Sequence, residues 1–153
     1  MKYLYLILSS IIIAYTVVII FIYFYQRNLL YHPSENNYQG DKIQFDYDEI
    51  FIKVDEEIKL KSWIIEKDFK KYKTLIIFHG NAGHLSNRIY KLNELYKLDI
   101  NILLISWRGF SGNKGSPTEQ NLYKDAEAAI KWLNGKNINN NQIILYGESL
   151  GSG

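Results

Sequence analysis

The chain of 153 residues has no cysteine. That removes a disulfide framework, a thiolate metal site and a cysteine nucleophile from consideration, and it leaves the redox compartment unread. Charge of one sign is also missing. Lys2 and Arg27 account for the whole excess of 18 basic over 16 acidic residues, so the stretch beyond residue 33 is neutral. No basic field exists to draw in nucleic acid, and no Lys/Arg cluster flanks the apolar start to grip anionic lipid. Internal repeats are absent as well.

A third absence is local. Tyr3 to Gln26 contains no charged side chain, and these 24 residues at helical rise span roughly 36 Å, enough for a hydrocarbon core of about 30 Å. A transmembrane helix is the expectation, with residues 1–27 as anchor and residues 3–26 as the membrane contact. Tyr23-Phe24-Tyr25 before Arg27 reads as an interfacial aromatic belt. A cleaved signal peptide is the competing reading, but its apolar region would be shorter and end in a small-x-small site. Lys2 and Arg27 barely bias orientation, so the localisation is membrane, single-pass, with the side of the remaining domain undetermined.

Residues 28–42 have linker composition, and a partial α/β domain is expected over 43–153. Ile50 to Val54 and Ile58 to Ile65 are β-rich runs around the acidic turn Asp55-Glu56-Glu57, which predicts an antiparallel hairpin. Leu75 to Phe78, Ile100 to Trp107 and Gln142 to Tyr146 are short apolar runs expected as buried strands. Leu85, Ile89, Leu92 and Tyr96 keep helical spacing. Ser116-Pro117-Thr118-Glu119 resembles a capping box with proline at the first helical position; Leu122, Ala126, Ala129 and Leu133 form the stripe and Gly135 ends it. Asn137 to Asn141 reads as a turn. A hairpin followed by alternating strands and helices predicts an antiparallel hairpin, then parallel strands with flanking helices.

Three segments carry candidate chemistry. Gly147-Glu148-Ser149-Leu150-Gly151 matches G-x-S-x-G directly after a predicted strand. Ser149 must then occupy a sharp strand-to-helix turn, and glycines two residues either side leave room for strand and helix to approach. His79-Gly80-Asn81-Ala82-Gly83 follows the Leu75 to Phe78 strand and can turn a backbone N–H toward the space served by the Leu150 N–H, making an oxyanion hole. A glycine turn, or a metal pair of His79 and His84 lacking an evident third ligand, are the alternatives for that segment. Trp107 to Glu119 is a glycine-containing loop in which Arg108 could grip an anion but more simply makes a structural ion pair.

In this order and spacing the three segments, with Gln26-Arg27-Asn28-Leu29-Leu30-Tyr31-His32-Pro33 behind the apolar helix, resemble the α/β-hydrolase superfamily, specifically its membrane-anchored Bem46-like serine hydrolases. The resemblance implies the N-terminal half of an α/β-hydrolase sheet, Ser149 as nucleophile, Asn81 and Leu150 as oxyanion-hole amides, and Gly147, Gly151, Gly80 and Gly83 as the elbow and loop glycines. It implies no cofactor and no metal. Ser111 and Asn113 stand where the group shows glycine and serine, a difference of loop packing.

The family's acid and histidine follow the nucleophile, so the triad Asp and His are expected to be absent from these residues, with His84 a poor substitute. The expected function is hydrolysis of carboxylic ester or thioester bonds of acyl or lipid substrates at a membrane, inactive in this stretch alone because a serine without a base is a poor nucleophile. The alternative is a non-catalytic truncated membrane protein or remnant of an interrupted reading frame. Gln142 to Tyr146 would then form an apolar edge open to aggregation, or to a complementing C-terminal chain.

Overall fold

The computed structural model describes residues 1–34, 40 and 42–153. Of the expected 28–42 linker, residues 35–39 and 41 lie outside the described residues. The chain divides into two compact units, Met1–Tyr31 and His32–Gly153.

The first unit is one helix, α1 (Lys2–Leu30), none of whose residues is buried. At 29 residues it is about 44 Å long and its composition is apolar enough to cross a membrane. It runs three residues past the expected end at 27. Ser9, Ser10 and Thr16 return their hydroxyls to carbonyls three or four residues back, so none competes with the helical ladder.

The second unit contains strands β1 (His32–Pro33), β2 (Asp48–Lys53), β3 (Lys59–Ile65), β4 (Thr74–Phe78), β5 (Ala82–Gly83), β6 (Asn101–Ile105) and β7 (Ile143–Gly147), with helices α2 (Ile89–Leu95) and α3 (Glu119–Asn134). β2, β3, β6, β4 and β7 form one sheet in that order. The pairs β2/β3 and β3/β6 are antiparallel, β6/β4 and β4/β7 parallel. The hairpin register sets Ile52 against Leu60, both fully buried, and the Asp55 carboxylate closes the acidic turn by accepting from the Glu57 and Ile58 amides.

β4 to β6 steps one way across the sheet and β6 to β7 steps back over β4. Right-handed crossovers in opposite directions place α2 and α3 on opposite faces. β4 and β6 are buried at every position, as continuous apolar runs between two helical layers require. Leu75, Ile77, Ile102 and Leu104 pack with Leu85, Ile89 and Leu92 on the α2 side.

Two expectations are corrected. β7 is not a buried strand: it lies at the sheet edge beside β4, and Ile144, Leu145 and Tyr146 are exposed. Continuous apolar sequence reports what a strand can bury, not whether a neighbour covers it. α3 begins two residues later than the expected capping box, with Thr118 as the cap accepting from the Asn121 amide, so Pro117 stays in the loop and Ser116 does not cap. The buried stripe of α3 also takes in a carboxylate, Asp125, and Ala128 where Ala126 was expected.

Candidate active site

β4, β6 and β7 are parallel and end at the same edge of the sheet, with Phe78 level with both Ile105 and Gly147. The loops that follow therefore converge. After Gly147 the chain bends: Glu148 is extended, Ser149 takes φ 51°, and Ser149–Ser152 closes a single 3-10 turn through Gly151 N–H to Glu148 O at 2.9 Å. A serine in the left-handed region is strained by about 1–3 kcal/mol unless its surroundings hold it there.

The two flanking glycines explain how it is held. A Cβ on Gly151 would collide with the Phe78 backbone carbonyl, and a Cβ on Gly147 with the Gly151 carbonyl and the Ser152 α-carbon. The turn thus packs backbone to backbone against the end of β4, and Glu148 N–H donates to Phe78 O at 2.9 Å. Ser149 itself is exposed.

The loop after β4 meets this bend. A Cβ built on Gly80 would stand 3.6 Å from Ser149 Cβ and 3.4 Å from Glu148 O, so the sequence-predicted glycine loop and serine turn are neighbours. His79 is buried, and its Nδ1 lies 2.7 Å from Gly80 O. A carbonyl can only accept, so Nδ1 carries the proton; Nε2 then accepts from the Trp107 N–H at 3.4 Å. Trp107 Nε1 donates to His79 O at 2.8 Å, and Phe110 sits edge-on to the imidazole. In a trans peptide the C=O and N–H point in opposite directions, so tying Gly80 O to the imidazole turns the Asn81 N–H away from it. With both nitrogens engaged, His79 has no lone pair left for a metal, which disposes of the His79–His84 pair.

Farther round the loop, Arg88 Nη2 donates to Ala82 O at 3.0 Å, and Gly83, at φ 90°, leaves the space that Asn87 Oδ1 and Arg88 Nη1 occupy. Asn87 Oδ1 accepts from His84 N–H at 2.6 Å, which opens the 3-10 turn Leu85–Arg88 before α2. Ser86 N–H donates to His84 Nδ1 at 3.4 Å, so His84 serves as a helix cap. His79 and His84 are thus both committed to holding the loop.

The loop after β6 is scaffold, as expected. Arg108 donates through Nε and Nη2 to Asp125 Oδ1 at 2.9 and 2.5 Å, while its backbone N–H donates to Oδ2 at 3.0 Å. Ser111 and Asn113 have structural work: Ser111, at φ 53°, accepts from Ser106 Oγ and the Leu85 amide, and Asn113 bridges the Lys61 amide to the Ser106 carbonyl.

Beside the bend, Lys91 Nζ meets Glu148 Oε2 at 2.6 Å and the Tyr146 hydroxyl at 3.3 Å. Burial works to raise the Glu148 carboxyl, but the Lys91 ammonium and the Arg88 guanidinium outweigh it and hold the group below the usual glutamate range. Sequence reasoning did not find this pair, because a lysine 57 positions upstream on an amphipathic helix gives no signal.

Burial, reinforced by the Arg88 charge, lowers the His79 pKa to about 4. The unfolded chain therefore binds the proton first on acidification. Stability carried by neutral His79 is complete above pH 6.5 and declines toward pH 4, by about 3 kcal/mol in all. Urea unfolding across that window should show the decline in the parent chain, and His79→Gln should flatten it; an unchanged slope would remove the neutral-imidazole assignment.

No family model matches the chain. Among curated relatives it is 32% identical over 109 residues to the alpha/beta hydrolase domain-containing protein WAV2 of Arabidopsis thaliana, covering 69% of this chain and 35% of that one. It is 29% identical over 141 residues to protein bem46 of Schizosaccharomyces pombe, covering 86% and 47%. The crystal structure of an alpha-beta hydrolase from Vibrio vulnificus superposes with a TM-score of 0.60 at 26% identity, over 69% of this chain and 36% of that one. The chain thus spans less than half the length of these proteins.

Proposed function

We propose, for a chain that belongs to the α/β-hydrolase superfamily, that it carries the nucleophile half of a serine hydrolase acting on carboxylic ester or thioester bonds of acyl substrates at a membrane surface. The observation that carries this reading is the left-handed Ser149 at a backbone-packed bend beside Gly80. Strained residues cluster at reacting sites, and what separates Ser149 from the similarly left-handed Ser111 of the scaffold loop is its exposed place beside Gly80 at the end of β7.

In this reading Ser149 Oγ attacks the acyl carbonyl carbon and its proton passes to a general base. The carbonyl electron pair moves onto oxygen, where the Asn81 and Leu150 amides stabilise it; collapse expels the alcohol or thiol, which takes up a proton, and water then releases the acid. An oxyanion donor of this kind is worth about 3 kcal/mol of barrier. In this reading His79 and His84 are not the base, since both are engaged in holding the loop. α1, long and apolar enough to span a bilayer, is read as the anchor that brings the site to amphiphilic substrate.

The test separates the serine's setting from the base. The chain reconstituted in liposomes is treated with a fluorophosphonate probe, with and without imidazole as a surrogate base. Slow labelling that imidazole accelerates, located at Ser149 and absent from Ser149→Ala, is the expected result. Equal labelling of the alanine variant would overturn the reading in favour of a non-catalytic membrane protein. A second expectation concerns strain: Ser149→Gly should unfold about 1 kcal/mol less readily than the parent while losing all labelling. A glycine variant no more stable than Ser149→Ala would argue that the bend stores nothing.

A further inference from the structure

We infer that the backbone of His32–Ser34 is a positioning element of the oxyanion loop, which makes the stretch following α1 part of the reaction centre and not a spacer. The inference rests on the hydrolase reading of Ser149.

β1 and β5 form a separate two-stranded parallel sheet, with His32 level with Ala82 and Pro33 with Gly83. His32 N–H donates to Asn81 O at 2.8 Å and Ser34 N–H to Gly83 O at 3.4 Å. Proline occupies the intervening position, where a parallel strand's N–H faces away from this partner and its loss leaves nothing unpaired.

The consequence concerns the Asn81 α-carbon. The peptide before it is fixed by Gly80 O on the His79 imidazole, and the peptide after it by Asn81 O on the His32 amide. The Gly80 O tie aims the Asn81 N–H, but a single hydrogen bond lets that plane rock about it, and the chain beyond the Asn81 α-carbon must be held for the plane to stay put. Two ties set both planes and therefore the direction of the amide that the mechanism uses. Arg88 holds the next carbonyl, Ala82 O, so each of the four successive carbonyls from Gly80 to Gly83 has a partner. Only one residue, Tyr31, separates the last residue of α1 from this strand.

The experiment deletes the donor and keeps the rest. Tyr31 is already extended, at φ −103° and ψ 126°, so it tolerates a following proline. In liposome-reconstituted full chain, His32→Pro should raise hydrogen exchange of the residue 80–83 amides about tenfold and slow imidazole-assisted labelling of Ser149 about tenfold. His32→Gln, which keeps the N–H and a polar side chain, should match the parent in both. Ser34→Pro, which removes the longer bond, should move both in the same direction by less. It decides the case if His32→Pro also loosens β4 and β6. Unchanged exchange at 80–83 in both proline variants would overturn the inference. Absence of labelling in the parent with the exchange contrast intact would overturn the hydrolase reading instead, and leave the strap standing as the element that orders the loop.

Discussion

Gly151→Ala should destabilise the second unit by about 2–4 kcal/mol, a large share of the 5–15 kcal/mol typical of a folded domain. The added methyl meets the Phe78 carbonyl oxygen, its carbon and its Cβ. None of these can retreat. Phe78 closes the ladder with both Ile105 and Gly147, and its carbonyl already accepts the Glu148 N–H. The turn must lift instead, which adds the lost Glu148 bond, about 1 kcal/mol, to an overpacking cost of about 1–3 kcal/mol. Lifting also carries Ser149 away from Gly80, so labelling should vanish even in the molecules that remain folded.

Two comparisons make this specific. Gly147→Ala strikes only the Gly151 carbonyl and the Ser152 α-carbon, both inside the exposed turn, so it should cost less. Gly135 ends α3 at φ −65° with its nearest neighbours 3.4 Å away or more, and alanine there should change stability by under about 0.5 kcal/mol. Urea unfolding of the three variants in one detergent should give the order Gly151, Gly147, Gly135. A Gly151→Ala protein as stable as Gly135→Ala would mean that the turn does not seat on β4.

The parts of this site that were readable in the sequence are those set by short-range rules. G-x-S-x-G after an apolar strand forecast both the bend and its glycines, because the steric demand lies within five residues. The hairpin, β4, β6 and the end of α3 at Gly135 followed from apolar period and turn chemistry. What escaped depends on long-range pairing. β1 is two residues with no period to detect, in a stretch of linker composition, and its partner lies 50 positions away. The partner of His79 Nε2, the Trp107 N–H, lies 28 positions downstream. The edge position of β7 did not escape: an apolar edge was expected for Gln142 to Tyr146. Thr118 took the cap that Ser116 seemed to offer, accepting from the Asn121 amide.

Arg108 was expected in an ion pair, and that pair carries the second large effect. Asp125 is fully buried in the middle of α3, and the Arg108 side chain is nearly so. Arg108→Met would leave the carboxylate with only the Arg108 backbone N–H as a partner, and stranding a buried charge in this way costs about 3–5 kcal/mol. The variant escapes part of that cost by protonating Asp125. Its folded pKa then lies above that of the unfolded chain, so the folded form binds protons more readily and stability should rise as pH falls toward the ordinary carboxylate range. Burial already holds the Asp125 carboxyl above its ordinary range in the parent, against the opposing pull of the Arg108 bonds, so the parent should show the same rise in weaker form.

Arg108→Met combined with Asp125→Leu removes both charges and should recover most of the loss, giving a coupling of at least about 2 kcal/mol in a double-mutant cycle read by urea unfolding. Additive single losses would contradict the pairing and return Arg108 to the role of an anion grip. The position of the pair also ties it to the proposed nucleophile, Ser149. Trp107, the residue before Arg108, supplies the N–H that His79 Nε2 accepts, so loosening the strand end should weaken the imidazole that orients Asn81. Among variants of Arg108 that still fold at low temperature, labelling of Ser149 should therefore fall with the unfolding midpoint, whereas an arginine that merely contacted substrate would lower labelling at constant stability.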